Sequence, residues 1–382
     1  MSVVILLLFI VISMIVLWRA SDGFETAASY LGRSLSEGVK GATINAIASS
    51  MPELLTTFFF LFYLGDENGF SGGIGTTAGS AIFNGMIIPA AVIFVVIFSG
   101  IARNIVVLRK VLLRDGIALI LAEIILITMI SGDTLSWGHG LMLMIVYVIY
   151  AVYTFGTMKK RDRNEVHEFH HDVVKMSYFK SILILNLTSL FFQKNKIKNS
   201  NAWWLLILST LIIAAACLLL VHSIEVMGRE MGIPIMFLAI VLASAASSVP
   251  DTILSMRDAK NGNYDDAVSN ALGSNIFDIS FALGLPLFLY TIIYNPIHMS
   301  PEIIEQSGEL RMFLLILTVI AFVIYLSGRK LGIGKAIALI SIYFIFLLYI
   351  IGRSEGVELT NSIAEFLNEI VDLIAIDWFN IH

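Results

Sequence analysis

Apolar runs close to the length of a bilayer crossing follow one another along most of the chain, and this succession restricts the fold more than any other feature. Ten can be marked, at roughly 3–18, 26–64, 72–99, 112–131, 137–156, 202–222, 232–257, 264–294, 310–327 and 333–351. A membrane helix needs ~20 such residues. Of 382 residues, 58% are hydrophobic and 14% charged, and mean hydropathy is +0.87. A soluble chain could not hide that much apolar surface. The expected fold is an all-α integral membrane protein with ten transmembrane helices. Met1 to Trp18 has no basic start and no small-residue cleavage site before Arg19, so it reads as a first helix rather than a signal peptide. The run 26–64 is too long for one straight crossing. It is expected to begin as an amphipathic approach from Ala27 to Lys40 and to break near Pro52.

The basic residues orient these runs. With the start of the first helix outside, the inside connections hold 21 of the 24 Lys and Arg residues, and the outside keeps only Arg229, Arg311 and Arg353. That asymmetry follows the positive-inside rule and puts both chain ends of a multi-pass protein outside; the plasma membrane is the expected location. The acidic connection Gly65 to Gly69 falls outside as well. The segment 157–201 is the only long polar connection, with nine basic residues between Lys159 and Lys198. It divides the chain into a first five-helix repeat (1–156) and a second (202–352), followed by an amphipathic tail (353–382). Five is odd, so the halves enter the membrane in opposite senses and form an inverted repeat, an arrangement associated with secondary transporters. Within the linker, Tyr178 to Phe192 is apolar enough to lie on the membrane surface.

Each half carries the same short polar stretch inside an apolar run. The first is Ala48-Ser49-Ser50-Met51-Pro52-Glu53, echoed by Ala246-Ser247-Ser248-Val249-Pro250-Asp251. Each is followed by a second echo, Gly79-Ser80-Ala81-Ile82-Phe83-Asn84 and Gly273-Ser274-Asn275-Ile276-Phe277-Asp278. Pro52 and Pro250 have no N–H, so the carbonyls of Ala48 and Ala246 lose their helical partners. Inside a bilayer a freed carbonyl needs another partner, and a cation is one. Helical spacing puts Ser49 and Ser50 on the face of Glu53, and Ser247 and Ser248 on that of Asp251; Ser80 and Asn84, like Ser274 and Asp278, are four apart. If these segments meet, the pocket is all oxygen. A single Pro in a membrane helix is ordinarily a kink, and a single Ser ordinarily bonds to its own backbone. Recurrence at matching positions of both halves is what points to a transport site.

Oxygen ligands without Cys or His suit hard cations: Ca²⁺, Na⁺ or K⁺. Glu53, Asp251 and Asp278 together would neutralise a divalent ion and leave one negative charge. Emptied, they would repel one another and be costly to keep ionised. The pocket therefore favours refilling before it crosses, which is the physical root of exchange. No tightly bound cofactor is expected.

At these residues the chain resembles the cation/calcium exchanger superfamily, and within it the K⁺-dependent Na⁺/Ca²⁺ exchanger branch. Gly41-Ala42-Thr43, Pro52-Glu53-Leu54, Gly75-Thr76 and Gly79 to Asn84 carry the likeness in the first half. Ser248 to Asp251, Asp266 to Asn270, Gly273-Ser274-Asn275, Phe277-Asp278-Ile279 and Gly284-Leu285-Pro286 carry it in the second. The resemblance implies that Glu53 and Asp251 are the central Ca²⁺ carboxylates. Ser50, Ser80, Ser248, Ser274 and Asn84 would line Na⁺ sites with backbone oxygens near Ser49 and Ser247, and an acid at Asp278 goes with K⁺ dependence. Ala48 and Ala246 stand where Gly is common in the family, and Gly85 to Pro89 is also unusual. The implied activity is antiport of Ca²⁺ against Na⁺, with or without K⁺. H⁺/Ca²⁺ exchange on the same carboxylates is the alternative, ahead of a cation channel or an intramembrane protease.

Two other signals compete. His167-Glu168-Phe169-His170-His171 fits H-E-x-x-H, yet lies in the polar linker with no third ligand in view, and reads as a solvated segment. Lys159 to Arg163 lies just inside a span, where it reads as a positive-inside anchor on the lipid bilayer rather than a nucleic-acid site. Cys217 is the single cysteine, so no intramolecular disulfide forms.

Overall fold

The computed structural model describes residues 2–32, 46–158, 177–192 and 198–374. They fold into helices: α1 (Val3–Leu31), α2 (Met51–Leu64), α3 (Asp66–Phe98), α4 (Arg109–Met129), α5 (Trp137–Met158), α6 (Asn199–Met231), α7 (Ile235–Lys260), α8 (Tyr264–Ile293), α9 (Pro301–Leu326), α10 (Ile333–Ser354) and α11 (Glu358–Ile374). Three shorter helical pieces complete the described residues, Ala46–Ser49 before α2 and Tyr178–Leu183 and Leu187–Phe191 between α5 and α6. A two-residue antiparallel pairing of Thr134–Leu135 with Ile297–His298 ties the α4–α5 and α8–α9 connections. Eight helices, α1, α3 and α5 to α10, are long and apolar enough to cross a membrane. α2 is shorter, and α4 carries Arg109, Lys110, Arg114, Asp115 and Glu123.

The molecule is apolar outside and takes its polar side chains inward, as suits a helical protein in lipid. Val4, Leu8 and Ile12 of α1 and Phe344, Ile345 and Leu348 of α10 face outward, whereas Ser, Thr, Asn, Asp and Glu side chains line the interior. α3 and α8 lie in the largest apolar cluster, and α1 packs on α6 in a second one. Gly75 and Gly79 bring α3 against α7. A Cβ at Gly75 would stand 2.9 Å from the Met236 carbonyl oxygen, and one at Gly79 2.8 Å from that of Ile240. Small residues four apart are how membrane helices reach backbone contact.

The structure corrects two expectations. The first span does not end at Trp18, and Arg19 is not in a connection: α1 continues unbroken to Leu31. The charges that read as a loop are tolerated because they have partners. Arg19 lies over the Trp18 ring at 4.4 Å, and Asp22 and Glu25 are ion-paired to Arg257 of α7. Of the expected approach from Ala27 to Lys40, residues 27–31 thus belong to α1, and 33–45 lie outside the described residues. Nor is Arg311 an outer-connection residue. α9 starts at Pro301, and Arg311 is fully buried within it, donating to the carbonyls of Ser307 and Ile127 at 2.9 Å each. The linker histidines, His167 to His171, lie outside the described residues. The described tail, α11, is docked on α9, with Leu367 and Val371 clustered with Met312.

Pro89 interrupts α3 without breaking it. Its missing N–H leaves the Gly85 carbonyl unpaired in the helix, and the buried Tyr325 hydroxyl of α9 donates to that carbonyl. Tyr325→Phe strands a buried acceptor, which costs about 1–3 kcal/mol. Thermal unfolding of the purified variant in detergent should show the loss as a lowered midpoint. An unchanged midpoint would mean that Gly85 finds another donor.

Candidate cation site

The two Ser-Ser-x-Pro-acid stretches are helix breaks. Ser50 (φ −90°, ψ 10°) separates Ala46–Ser49 from α2, and Ser248 (φ −81°, ψ −2°) interrupts α7. Both lie near the bridge region of backbone space, where active-site residues are common. Pro52 and Pro250 follow in the first turn of the next helical piece, where a missing N–H costs little. The carboxylates Glu53 and Asp251 fall in those same first turns, where the helix dipole favours negative charge. A π-helical turn spans Asp278–Ala282 in α8 and begins at the third acid. Such turns frequently mark functional sites.

The breaks and the echo motifs converge. One carboxylate oxygen from each of Glu53, Asp251 and Asp278 lies within 4.8 Å of the others, and all three side chains are fully buried. Ser80 donates to Glu53 Oε1 at 2.9 Å and is hydrogen-bonded to Ser248, whose hydroxyl reaches the same oxygen at 3.4 Å. Asn84 Nδ2 donates to Asp251 Oδ2 and Ser274 to Asp251 Oδ1, each at 3.2 Å. Glu53 and Asp251 are thus each held by side chains from both halves. Seven of the ten residues singled out from sequence, namely Glu53, Asp251, Asp278, Asn84, Ser80, Ser248 and Ser274, form this cluster. Ser50 stands beside Asp278 without a hydrogen bond. Ser49 and Ser247 turn their hydroxyls back to the carbonyls of Ala46 and Ser244. They also approach the acid of the opposite stretch, Ser49 that of Asp251 and Ser247 that of Glu53.

What the cluster lacks is a positive charge. Among the described residues no Lys, Arg or His is bonded to any of the three acids. Glu53 Oε2, Asn84 Oδ1, Ser50 Oγ and both oxygens of Asp278 are buried without a hydrogen-bond partner. Buried polar atoms are rarely orphaned, and each one asks for a missing partner. Carboxylates, an amide oxygen and hydroxyls are the donor set of a hard cation. At an effective dielectric of ~20, two bare carboxylates at this separation repel by about 3–4 kcal/mol.

Two neighbours were not legible as site residues. Asn275 Nδ2 donates to the Ala81 carbonyl at 2.8 Å, stitching one echo motif to the other. Its signal was present, a polar residue inside the second motif. Cys217 of α6 is buried with Sγ 3.5 Å from the Pro52 carbonyl. Nothing in its apolar run foretold that.

Fold and site together define a helical membrane protein that encloses an all-oxygen pocket between two broken helices. The chain belongs to the sodium/calcium exchanger protein family, whose model matches residues 5–156 and 201–352. It is 35% identical over 132 residues to mouse sodium/potassium/calcium exchanger 2, a stretch covering 34% of this chain and 19% of that protein. It is 23% identical to human sodium/potassium/calcium exchanger 5 over 91% of this chain and 83% of that protein. Among solved structures, the H⁺/Ca²⁺ exchanger CAX superposes with a TM-score of 0.69 at 16% identity, covering 97% of this chain and 87% of that one. The sodium-calcium exchanger NCX_Mj superposes with a TM-score of 0.55 at 22% identity, covering 90% and 98%.

Proposed function

We propose that the chain is a secondary antiporter that moves Ca²⁺ out of the cell in exchange for Na⁺, with or without K⁺, by alternating access. The observation that carries this reading is the cluster of Glu53, Asp251 and Asp278 with its buried, unpartnered oxygens. Membership of the sodium/calcium exchanger family supports it. One pocket serves both ions in turn. Ca²⁺ offsets two of the three carboxylate charges, and Na⁺ ions replace it on the same oxygens. Leaving the pocket empty restores the mutual repulsion of the acids, so the return step favours a loaded site.

In this reading α1 to α10 all cross the bilayer as two inverted sets of five, with the start of α1 and the end of α10 outside the plasma membrane. α2 and α4 cross despite their length or charge because their acids are buried against partners within the bundle. Glu53 is in the cluster, Asp115 accepts from Ser269 at 2.7 Å, and Glu123 accepts from Thr318 at 2.6 Å.

Counterflow in proteoliposomes tests the proposal: Ca²⁺ uptake driven by a Na⁺ gradient at fixed pH, with and without K⁺. Uptake indifferent to Na⁺ overturns it. The second reading, H⁺/Ca²⁺ exchange, draws on the same cluster, since Glu53 Oε2 is free to take a proton; uptake driven by a pH gradient without Na⁺ would establish it. Conduction of Ca²⁺ without a counter-ion would identify a channel instead. Asp278→Asn removes charge but keeps an oxygen ligand. It is expected to alter the dependence on monovalent ions more than the affinity for Ca²⁺, as read by flux against Na⁺ and K⁺ concentration.

A further inference from the structure

A cavity between α1 and α7 leads toward the site. Its wall includes Ser49 and Pro250, which belong to the two broken stretches, and Ser21, Asp22, Glu25 and Arg257. The charged part is an ion-pair trio. Arg257 Nη1 lies 3.1 Å from Asp22 Oδ1, and Nη2 is bonded to Glu25 Oε1. Two carboxylates share one guanidinium, so the trio is net negative. The Ser21 hydroxyl on the same wall is 3% exposed and has no hydrogen-bond partner. It is an oxygen four residues before Glu25, on the same helical face, and it lines the cavity together with Asp22. α6 and α2, which stand in the corresponding relation in an inverted repeat, are joined instead by uncharged contacts, Tyr63 Oη with His222 Nδ1 at 3.0 Å and Cys217 Sγ with the Pro52 carbonyl at 3.5 Å. The charged trio is therefore a feature of one face of the molecule, the one that carries Arg257 and Lys260 at the end of α7.

We propose that Ser21, Asp22 and Glu25 form a peripheral site for a hard divalent cation at the mouth of an access route to the central carboxylates, with the Arg257 guanidinium as the tethered cation that fills it in the ion's absence. The route, though not the binding, rests on the antiporter reading. An incoming Ca²⁺ competes with Arg257 for the two carboxylates, and Arg257 returns once the ion has moved inward to the cluster. Because the guanidinium ties α1 to α7, its release also frees one edge of the broken helix.

Binding is tested apart from transport. In the full chain carrying Glu53→Gln, Asp251→Asn and Asp278→Asn, the central cluster has lost its charges. Titration with Mn²⁺ followed by electron paramagnetic resonance, and with Ca²⁺ by calorimetry, should retain binding of about millimolar strength, typical of a site with few charged ligands. Adding Asp22→Asn with Glu25→Gln should abolish it. Adding Arg257→Gln should tighten it about tenfold, the change expected on removing a competing charge, whereas Arg257→Lys should leave it near the parent value. No binding in the triple variant, or binding indifferent to Asp22, Glu25 and Arg257, overturns the proposal whether or not the protein transports Ca²⁺.

With the central cluster intact, sided flux gives the second readout. Asp22→Asn with Glu25→Gln should raise the half-saturating Ca²⁺ concentration about tenfold from the Arg257 face, with the maximal rate nearly unchanged. An equal loss from both faces, or a loss of maximal rate alone, would reduce the trio to a structural tie and overturn the inference.

Discussion

Glu53→Gln and Asp251→Asn are each expected to abolish Ca²⁺ exchange while the protein still inserts and purifies as a homogeneous species. Each substitution keeps the shape of the side chain and removes one charge from the buried cluster. The amide that replaces a carboxylate oxygen also turns a donor toward an ion that needs acceptors. Glu53 Oε1 receives the hydrogen bonds of Ser80 and Ser248, and both Asp251 oxygens receive bonds from Asn84 and Ser274. An amide reverses part of that pattern as well. Removing one partner from a buried charge assembly costs about 3–5 kcal/mol, or roughly two orders of magnitude or more in affinity. Initial rates of Ca²⁺ uptake in proteoliposomes, with reconstituted protein quantified, measure this directly. Wild-type flux from either variant would remove that residue from the site.

The second large effect is steric. Gly79→Val should abolish exchange and lower the thermal midpoint, although neither Gly79 nor its partners carry charge. Even a Cβ at this position would stand 2.8 Å from the Ile240 carbonyl oxygen and 3.0 Å from Ser244 Cβ. These are helix atoms and cannot swing aside. In isolation, replacing a helical glycine gains up to ~1 kcal/mol. Overpacking at a backbone contact costs typically ~1–3 kcal/mol, and a β-branched side chain adds to it. The net result is separation of α3 from α7. Ser80, the next residue, would then lose its contacts with Glu53 and Ser248. Gly334 of α10 provides the control, since a Cβ there meets no atom within 4 Å. Gly334→Ala should leave both midpoint and flux intact, and comparable damage from both substitutions would refute the close-approach argument.

Most of the chemistry of the pocket was legible in the chain. Glu53 and Asp251 announce themselves because a carboxylate in an apolar run is expensive and each follows a proline. Ser80, Ser248, Ser274, Asn84 and Asp278 follow by helical spacing and by recurrence in the second half. The limits of that reasoning are equally physical. Hydropathy ended the first span at Trp18 because it counts Arg19, Asp22 and Glu25 as solvated charges. It has no knowledge of Arg257, which lies 235 residues beyond Asp22 and pairs with it in space. It assigned Arg311 to a connection for the same reason, although that guanidinium lies inside the fold and donates to two carbonyls. For Ser49 and Ser247, helical spacing located the residues but not the hydroxyl rotamers, which bond to the preceding turn.

By itself the sequence determined the residue inventory: apolar runs that demand a bilayer, two polar stretches that break helices, and oxygen ligands of net negative charge. These are local properties, set by composition, spacing and the missing N–H of proline. Only the tertiary structure decided which oxygens meet. Glu53 and Ser248 are 195 residues apart, and their contact depends on α3 lying flush against α7 at Gly79. The π turn that begins at Asp278 belongs to the same level, since it ends a regular helical register at the third acid of the pocket. Convergence of this kind is a packing result, governed by backbone approach between distant segments, and no periodicity along the chain encodes it.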